Sequence, residues 1–570
     1  METKETTSLV PVELEEALEE EDEHLSFLRR NVHIRHILTF MGFLGFTILN
    51  MLKVNMSVAI VCMVNWKELN TTELNTTELN TTDTYVIEYL DSTGNLSQYL
   101  NSTEDDNTTD PTTATAPAKN FSYADWTCSF AENVTVRSDD EDGPYAITTE
   151  MQGHILAGYF YGLLVTQYAG VLIAEKLSSK YLLLCGILIS SLCTVATPFI
   201  ADSIGFYLII IQIIKGIGMG VIIPALSVLM GKWIPLSERF YAMCLVGSGI
   251  PFGGFLGTYL SGVICNAKNY GWPYIFYIFS GVGFVWSLIW LIMIFESPLT
   301  HPYITHHEMI RILENQAILP LSRKTSVPYS YIFKSGPVWA YIVVGFVSFW
   351  VLSIYTTLIP IFMSTILKFG IEMNGVWSSL PYLVEMVAYL FCCVLNDRLM
   401  KVGRVRTTKI HKWSICIGLF AFAVHMLAIP FTGCLRVLTV VMLVIALGYF
   451  GLIFASTSYI PLCLSPRYSG SISGIMNTLG AITGIIAPTM MGYLTMKHRT
   501  LYEWQILFFL TAALGLLALI IFAIFGSSSL QEWDDPAFRG ESDLEEELVV
   551  EVDQTPEGKL EVTLQDPEKL

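Results

Sequence analysis

Charge is scarce in this sequence, and basic charge is scarcest. Asp, Glu, Lys and Arg make up 15% of 570 residues, with 32 Lys and Arg against 51 Asp and Glu. The resulting net charge of −19 excludes nucleic acid as a partner, since a polyanion is held by a basic surface. Other absences are chemical. No glycine-rich phosphate loop precedes a helix, no cysteine and histidine set has metal-ligand spacing, and no nucleophile elbow occurs. Neither an enzyme nor a resident metal or cofactor is expected. No cleavable signal peptide is expected either, because an acidic, polar leader precedes the first apolar run.

Apolar residues are what the chain has instead: 52% of the total, at a mean hydropathy of +0.51. A bilayer core of ~30 Å is crossed by ~20 apolar residues in a helix. Such runs fall near 36–64, 152–174, 181–201, 206–231, 241–265, 272–295, 337–365, 374–396, 411–432, 436–461, 469–496 and 504–525, numbered here spans 1 to 12. The expected fold is an all-α membrane protein of twelve transmembrane helices in two six-helix halves. Its parts are an acidic N-terminal tail (1–35), a first half (36–295) containing a long loop (65–150), a polar linker (296–336), a second half (337–525) and an acidic C-terminal tail (526–570). Both tails carry like-charge runs, Glu13 to Glu23 and Glu545 to Glu547, which read as solvated and unstructured.

Lys and Arg near the span ends set the orientation. Arg29, Arg30 and Arg35 precede span 1, and Arg398, Lys401, Arg404, Arg406 and Lys409 follow span 8. Both termini, the linker and the even-numbered loops are therefore expected in the cytosol. The long loop then lies on the opposite side, where it carries N-x-S/T acceptors at Asn70, Asn75, Asn80, Asn95, Asn101, Asn107, Asn120 and Asn133. Asn55 heads the same triplet inside span 1 and is expected to stay unmodified. Most of the eleven cysteines fall within spans, whereas Cys128, Cys265 and Cys434 fall at or near the outer face. Any disulfide pairing among those three is open.

Six plus six spans with both ends inside resembles the major facilitator fold, in which two halves rock about a midplane site. After span 8, "NDRLMKVGR" places Asp397, Arg398, Gly403 and Arg404 as in that superfamily's loop signature D-R-x-x-x-x-G-R. Its counterpart after span 2, "GVLIAEKLSSK", keeps Gly170 and Lys180 and displaces the acid and base to Glu175 and Lys176. More specific stretches follow in order: "KVNMSVAIVCM" (53–63), "FYGLLVTQ" (160–167), "GIGMGVIIPA" (216–225), "KWIPLSER" (232–239), "NGVWSSLPYL" (374–383), "SPRYSGSISGIMNT" (465–478) and "EWQILFF" (503–509). From about residue 33 to 533 the chain is similar to the anion:cation symporter family, which includes sialin, the vesicular glutamate transporters and the inorganic phosphate cotransporters.

Three ionisable residues lie at bilayer depth: Lys53 in span 1, Lys215 in span 4 and Glu385 in span 8. A mid-helix charge costs roughly 2.5 to 3.5 kcal/mol on insertion scales, so such residues face protein or a watery cavity. The resemblance implies that spans 1, 4, 7 and 10 line that cavity and that Lys53 holds the place of the family's first-span arginine. Lys53 and Lys215 are then substrate-binding candidates for a small anion, with structural pairing to Glu385 or a backbone carbonyl as the alternative. Tyr161, Tyr355 and Asn477 match family positions in cavity-facing spans and are candidates for hydrogen bonds to the substrate, with packing the alternative. Glu385 is the candidate for ion coupling.

The chain also departs from the family. Where relatives read R-x-x-E-G-x-G-E-G in span 4, it has Gln212, Lys215, Gly216, Gly218, Met219 and Gly220; the acids are gone and the positive charge has moved one helical turn. In span 10 the family's N-H-L-D-I-A-P appears as "IPLCLSP", with Pro461 and Cys463 at the histidine and acid positions. The expected function is secondary active transport of inorganic phosphate or organic carboxylates, coupled to sodium or to a proton, by a monomer in the plasma membrane or a lysosomal or vesicular membrane. The departures leave a second reading open: a transporter fold that has lost ion coupling and acts as a facilitator, sensor or scaffold.

Overall fold

The computed structural model describes residues 33–65, 143–201, 205–267, 271–305, 308–312, 327–432, 435–496, 500–534, 549–554 and 560–565. The eight glycosylation acceptors, Cys128 and Cys434 lie outside the described residues. Among the described residues twelve helices are long and apolar enough to cross a membrane: Ile34–Met63, Thr149–Ala174, Ser179–Ile200, Phe206–Trp233, Glu238–Asn266, Pro273–Met293, Gly336–Thr365, Ile371–Val402, Thr407–Thr432, Arg436–Leu464, Ser469–Leu494 and Leu501–Phe525. Every one coincides with an expected span. In hydrocarbon each backbone N–H and C=O must be paired within its own segment, which makes helices of these runs. Many large apolar side chains remain exposed on the bundle's outside, including Phe199, Ile292 and Val437, as a lipid-facing surface requires.

Local chemistry sets several helix ends. Thr148 caps span 2 by accepting from the Met151 N–H, and Thr500 with Glu503 forms a capping box at span 12. Gly403 ends the span 8 helix at φ +68°, the left-handed cap that glycine adopts without a Cβ clash, so one residue of the loop signature serves as a helix stop. Spans 4, 7 and 10 are interrupted. In span 7, Pro360 offers no N–H to the Thr356 carbonyl, and the preceding turn widens to a π-helix over Ile354–Leu358, with the Ile359 N–H donating to the Ile354 carbonyl. Span 10 breaks at Tyr459 before the short helix Ile460–Leu464, which carries Pro461 in its first turn.

Two seams join the halves, span 2 against span 11 and span 5 against span 8. Below, the near end of the bundle is where span 1 begins and span 12 finishes, and the far end is the opposite one. At the far end each seam closes through glycine. A Cβ on Gly262 would lie 2.6 Å from the Gly375 Cα, and one on Gly153 would lie 2.7 Å from the Pro488 carbonyl oxygen and 3.3 Å from the Gly492 Cα. Asn266 adds a 2.7 Å hydrogen bond to Glu372 across the span 5 and span 8 seam. Gly262→Val is therefore expected to disfavour the far-end-closed state by about 1 to 3 kcal/mol, a shift of roughly 5- to 140-fold. Faster alkylation of a cysteine introduced beside the seam, relative to the Gly262 parent, would register it.

The structure corrects two expectations. Cys265 pairs with Cys62, at the far ends of spans 5 and 1, so the disulfide lies inside the first half and uses a cysteine assigned to a span interior. The C-terminal tail is not wholly irregular. Val549–Gln554 and Leu560–Gln565 pair as a two-stranded antiparallel sheet, in segments rich in β-branched residues.

Polar residues at the near end strap the first half together. Glu308 of the linker is buried and accepts 3.1 Å hydrogen bonds from the Ile34 and Arg35 backbone N–H groups, capping span 1 where its own N-terminal residues offer no cap. Glu238 pairs with both Arg35 (3.1 Å) and Arg311 (2.9 Å). Glu296, after span 6, accepts from the Lys180 backbone N–H (2.9 Å), from Ser178 (2.7 Å) and from the Lys232 ammonium. Burial alone would push the Glu296 carboxyl up, but the hydrogen bonds from Lys180, Lys232 and Ser178 and the Lys232 charge outweigh it and hold it below its ordinary value. Its folded value lies below its unfolded value, so its contribution is present above the unfolded value and is lost as pH falls through the folded one. Thermal unfolding of purified protein followed on acidification below the carboxylate range should show a steeper loss for the parent than for Glu296→Gln.

Candidate functional site

Lys53 lies in the middle of span 1. From Gly45 to Val64 every residue is buried except Lys53, which is partly exposed. Its ammonium stands 5.2 Å from the Phe160 ring centroid and 5.7 Å from that of Tyr159, both on span 2, at the range of a cation–π contact. It forms no ion pair among the described residues. Glu385 of span 8, in the other half, is close enough for the two charges to interact. That carboxyl is 1% exposed, and its Oε2 has no hydrogen-bond partner. Tyr355 and Tyr382 also lie within electrostatic reach of Glu385. Tyr382 is buried with an unpartnered hydroxyl, whereas the Tyr355 hydroxyl donates to the Leu443 carbonyl at 2.8 Å, tying the π-turn of span 7 to span 10.

Lys215 is placed differently. It is 1% exposed and its ammonium donates to the Asn55 Oδ1 at 3.0 Å, while Ser190 donates to its backbone carbonyl at 3.4 Å. Spans 1, 3 and 4 enclose it. The amine thus meets span 1 at Asn55, whereas Gln212, one turn earlier on span 4, lies against span 2, where a Cβ on Gly158 would come within 3.0 Å of the Gln212 Cβ. Asn55 was singled out in the sequence only as an unused glycosylation triplet, so its part in holding Lys215 was missed.

A cleft of ≈ 340 Å³ lies between the halves on the near-end side, with walls from spans 2, 4, 5, 8, 10 and 11. Asn477 lines it, as do Gln167, Tyr389, Ser458 and the guanidinium-bearing Arg239 and Arg467 near its mouth. Tyr389 is one helical turn from Glu385 on span 8; Glu385 and Lys53 themselves are not among the residues lining the cleft. Gln167, the last residue of "FYGLLVTQ", is 1% exposed with an unpartnered Oε1; only its membership of that motif marked it in the sequence. Tyr161 is half-buried on span 2 and is not among the residues lining this cleft.

The loop signature divides by role. Asp397 accepts from the Tyr241 hydroxyl of span 5 and pairs with Lys401 at 2.9 Å, and Lys401 in turn donates to Tyr241 at 3.2 Å, so these groups clasp the two halves at the near end. Arg398 and Arg404 are exposed.

Residues 115–488 match the Major Facilitator Superfamily pattern. Human sialin is 32% identical over 88% of this chain and 90% of its own length. The chain belongs to the major facilitator superfamily. Within it the chain falls in the branch of sialin and the phosphate cotransporters, and mouse sodium-dependent phosphate transport protein 3 is 31% identical over 68% of this chain and 81% of its own length. Among solved structures, a D-xylose-proton symporter superposes with a TM-score of 0.58 at 12% identity, covering 86% of this chain and 97% of that one, which shows the shared fold. This major facilitator protein is thus a multi-pass membrane transporter, and the expected fold class holds.

Proposed function

We propose that this major facilitator protein is a secondary active transporter of small anions, inorganic phosphate or organic carboxylates, coupled to a proton or to sodium and working by alternating access. One observation carries the reading: the Lys53 ammonium, in no ion pair among the described residues, is partly exposed at mid-span between two halves. A cation at that depth is costly, and a bound anion offsets the cost. Two similar proteins named sialin and sodium-dependent phosphate transport protein 3 support an anionic solute.

The substrate enters the cleft past Arg239 and Arg467 and meets the Lys53 ammonium with the aromatic faces of Tyr159 and Phe160 beside it. Gln167, Tyr161 and Asn477 supply hydrogen bonds. Lys215 fixes span 4 against span 1, and Tyr355 braces span 7 against span 10. Glu385 carries the coupling proton. While ionised it is the counter-charge to Lys53; when protonated it leaves the ammonium to the anion, so proton and anion travel together. Closure of the near end through Tyr241, Asp397 and Lys401, with opening of the far-end glycine seams, completes the cycle. The near end faces the cytosol and the loop 65–150 the opposite side, in a plasma, lysosomal or vesicular membrane.

The absence of the family's acids from spans 4 and 10 favours a second reading, an uncoupled facilitator. Uptake of labelled phosphate, sialic acid and glutamate into vesicles, with sodium and pH gradients imposed one at a time, separates the two. Accumulation against a gradient supports coupling, equilibration without it supports the facilitator, and no uptake of any anion rejects both.

A further inference from the structure

Spans 5 and 8 run antiparallel along the seam between the halves and keep one register throughout. Tyr241 meets Asp397 through its hydroxyl. A Cβ on Gly247 would lie 2.4 Å from the Tyr389 hydroxyl, one on Gly254 would lie 2.7 Å from the Tyr382 ring, and Gly262 meets Gly375. Between the first two of these contacts, the same register sets Cys244 opposite Cys393. The two side chains are buried together in one small cluster with Tyr389, Cys392 and Ala455. Both are free, one belongs to each half, and Cys244 lines the cleft. The Cys62–Cys265 bond, by contrast, lies within one half and restrains no motion between them.

We infer that Cys244 and Cys393 form a redox modification site, a thiol pair that a peroxide-class oxidant converts into a disulfide joining the two halves. Peroxide reaches Cys244 through the cleft. The Cys244 sulfur attacks one peroxide oxygen, the O–O bond breaks, and a sulfenic acid and one water result. The Cys393 sulfur then attacks the sulfenic sulfur; the S–S bond forms, the S–O bond breaks, and the departing hydroxide takes the Cys393 proton as a second water. Two thiols are oxidised and one peroxide is reduced to two waters. The bond pins spans 5 and 8 at the depth of the near-end clasp, so this seam no longer parts.

The full-length protein in membranes is treated with hydrogen peroxide, alkylated, digested and mapped by mass spectrometry. The expected product is a peptide pair joined through Cys244 and Cys393, released by dithiothreitol, with the adjacent Cys392 still alkylated. Cys244→Ser and Cys393→Ser each abolish the joined pair. Alkylation of both Cys244 and Cys393 after peroxide, or a link through Cys392 instead, overturns the site. Peroxide should also abolish anion uptake by the parent and spare the Cys393→Ser variant, whereas uptake that persists in fully linked protein overturns the pinning. The mapping needs no transport substrate, so its failure is distinguishable from failure of the transport reading.

Discussion

Lys53→Ala is expected to lower anion uptake by about 30- to 100-fold, while Lys53→Arg keeps much of it. The magnitude follows from the loss of a charge-assisted contact at a desolvated site, worth roughly 2 to 3 kcal/mol at 1.4 kcal/mol per tenfold. The direction follows from geometry: the ammonium has two aromatic faces beside it and no ion pair among the described residues, so removing it breaks no salt bridge there. Loss of uptake then reports the missing attraction for the solute rather than collapse of the bundle. Arginine preserves the charge and adds a planar fork suited to carboxylate or phosphate. Initial rates at several substrate concentrations check this, since a binding role appears in the concentration for half-maximal uptake. Unchanged uptake in the alanine variant would remove Lys53 from the mechanism.

Glu385→Gln should abolish dependence of uptake on the driving gradient, leaving downhill exchange of the anion intact. Glutamine keeps the shape and the capacity to hydrogen-bond but can neither release a proton nor oppose Lys53. The carboxyl is buried with a free Oε2 and faces the Lys53 charge from the other half, so its protonation state decides whether the two halves meet as opposite charges or as ammonium and neutral acid. Uptake with and without an imposed pH gradient, in parent and variant, is the measurement. A variant as gradient-dependent as the parent places the coupling elsewhere.

The twelve spans were legible because crossing a bilayer is a one-dimensional property: a run long and apolar enough becomes a helix whatever surrounds it. The two halves were legible for the same reason, since the linker from Glu296 to Gly336 interrupts the apolar runs. The family was legible because its motifs are contiguous, from "KVNMSVAIVCM" to "EWQILFF". Lys53, Lys215 and Glu385 were equally visible as ionisable residues at depth, yet their surroundings were not.

What the tertiary structure decided is which of these groups has a partner. Lys53 and Lys215 look alike in sequence, but only Lys215 finds a side-chain oxygen, on Asn55 at 3.0 Å, because the crossing of spans 1 and 4 brings two residues 160 positions apart together. The Cys62–Cys265 bond, the Glu308 cap on span 1 and the shared cluster of Cys244 and Cys393 are of the same kind. Helix formation depends on neighbours along the chain, so the sequence by itself determined the spans; pairing depends on distances between distant segments, which exist only once the spans have packed.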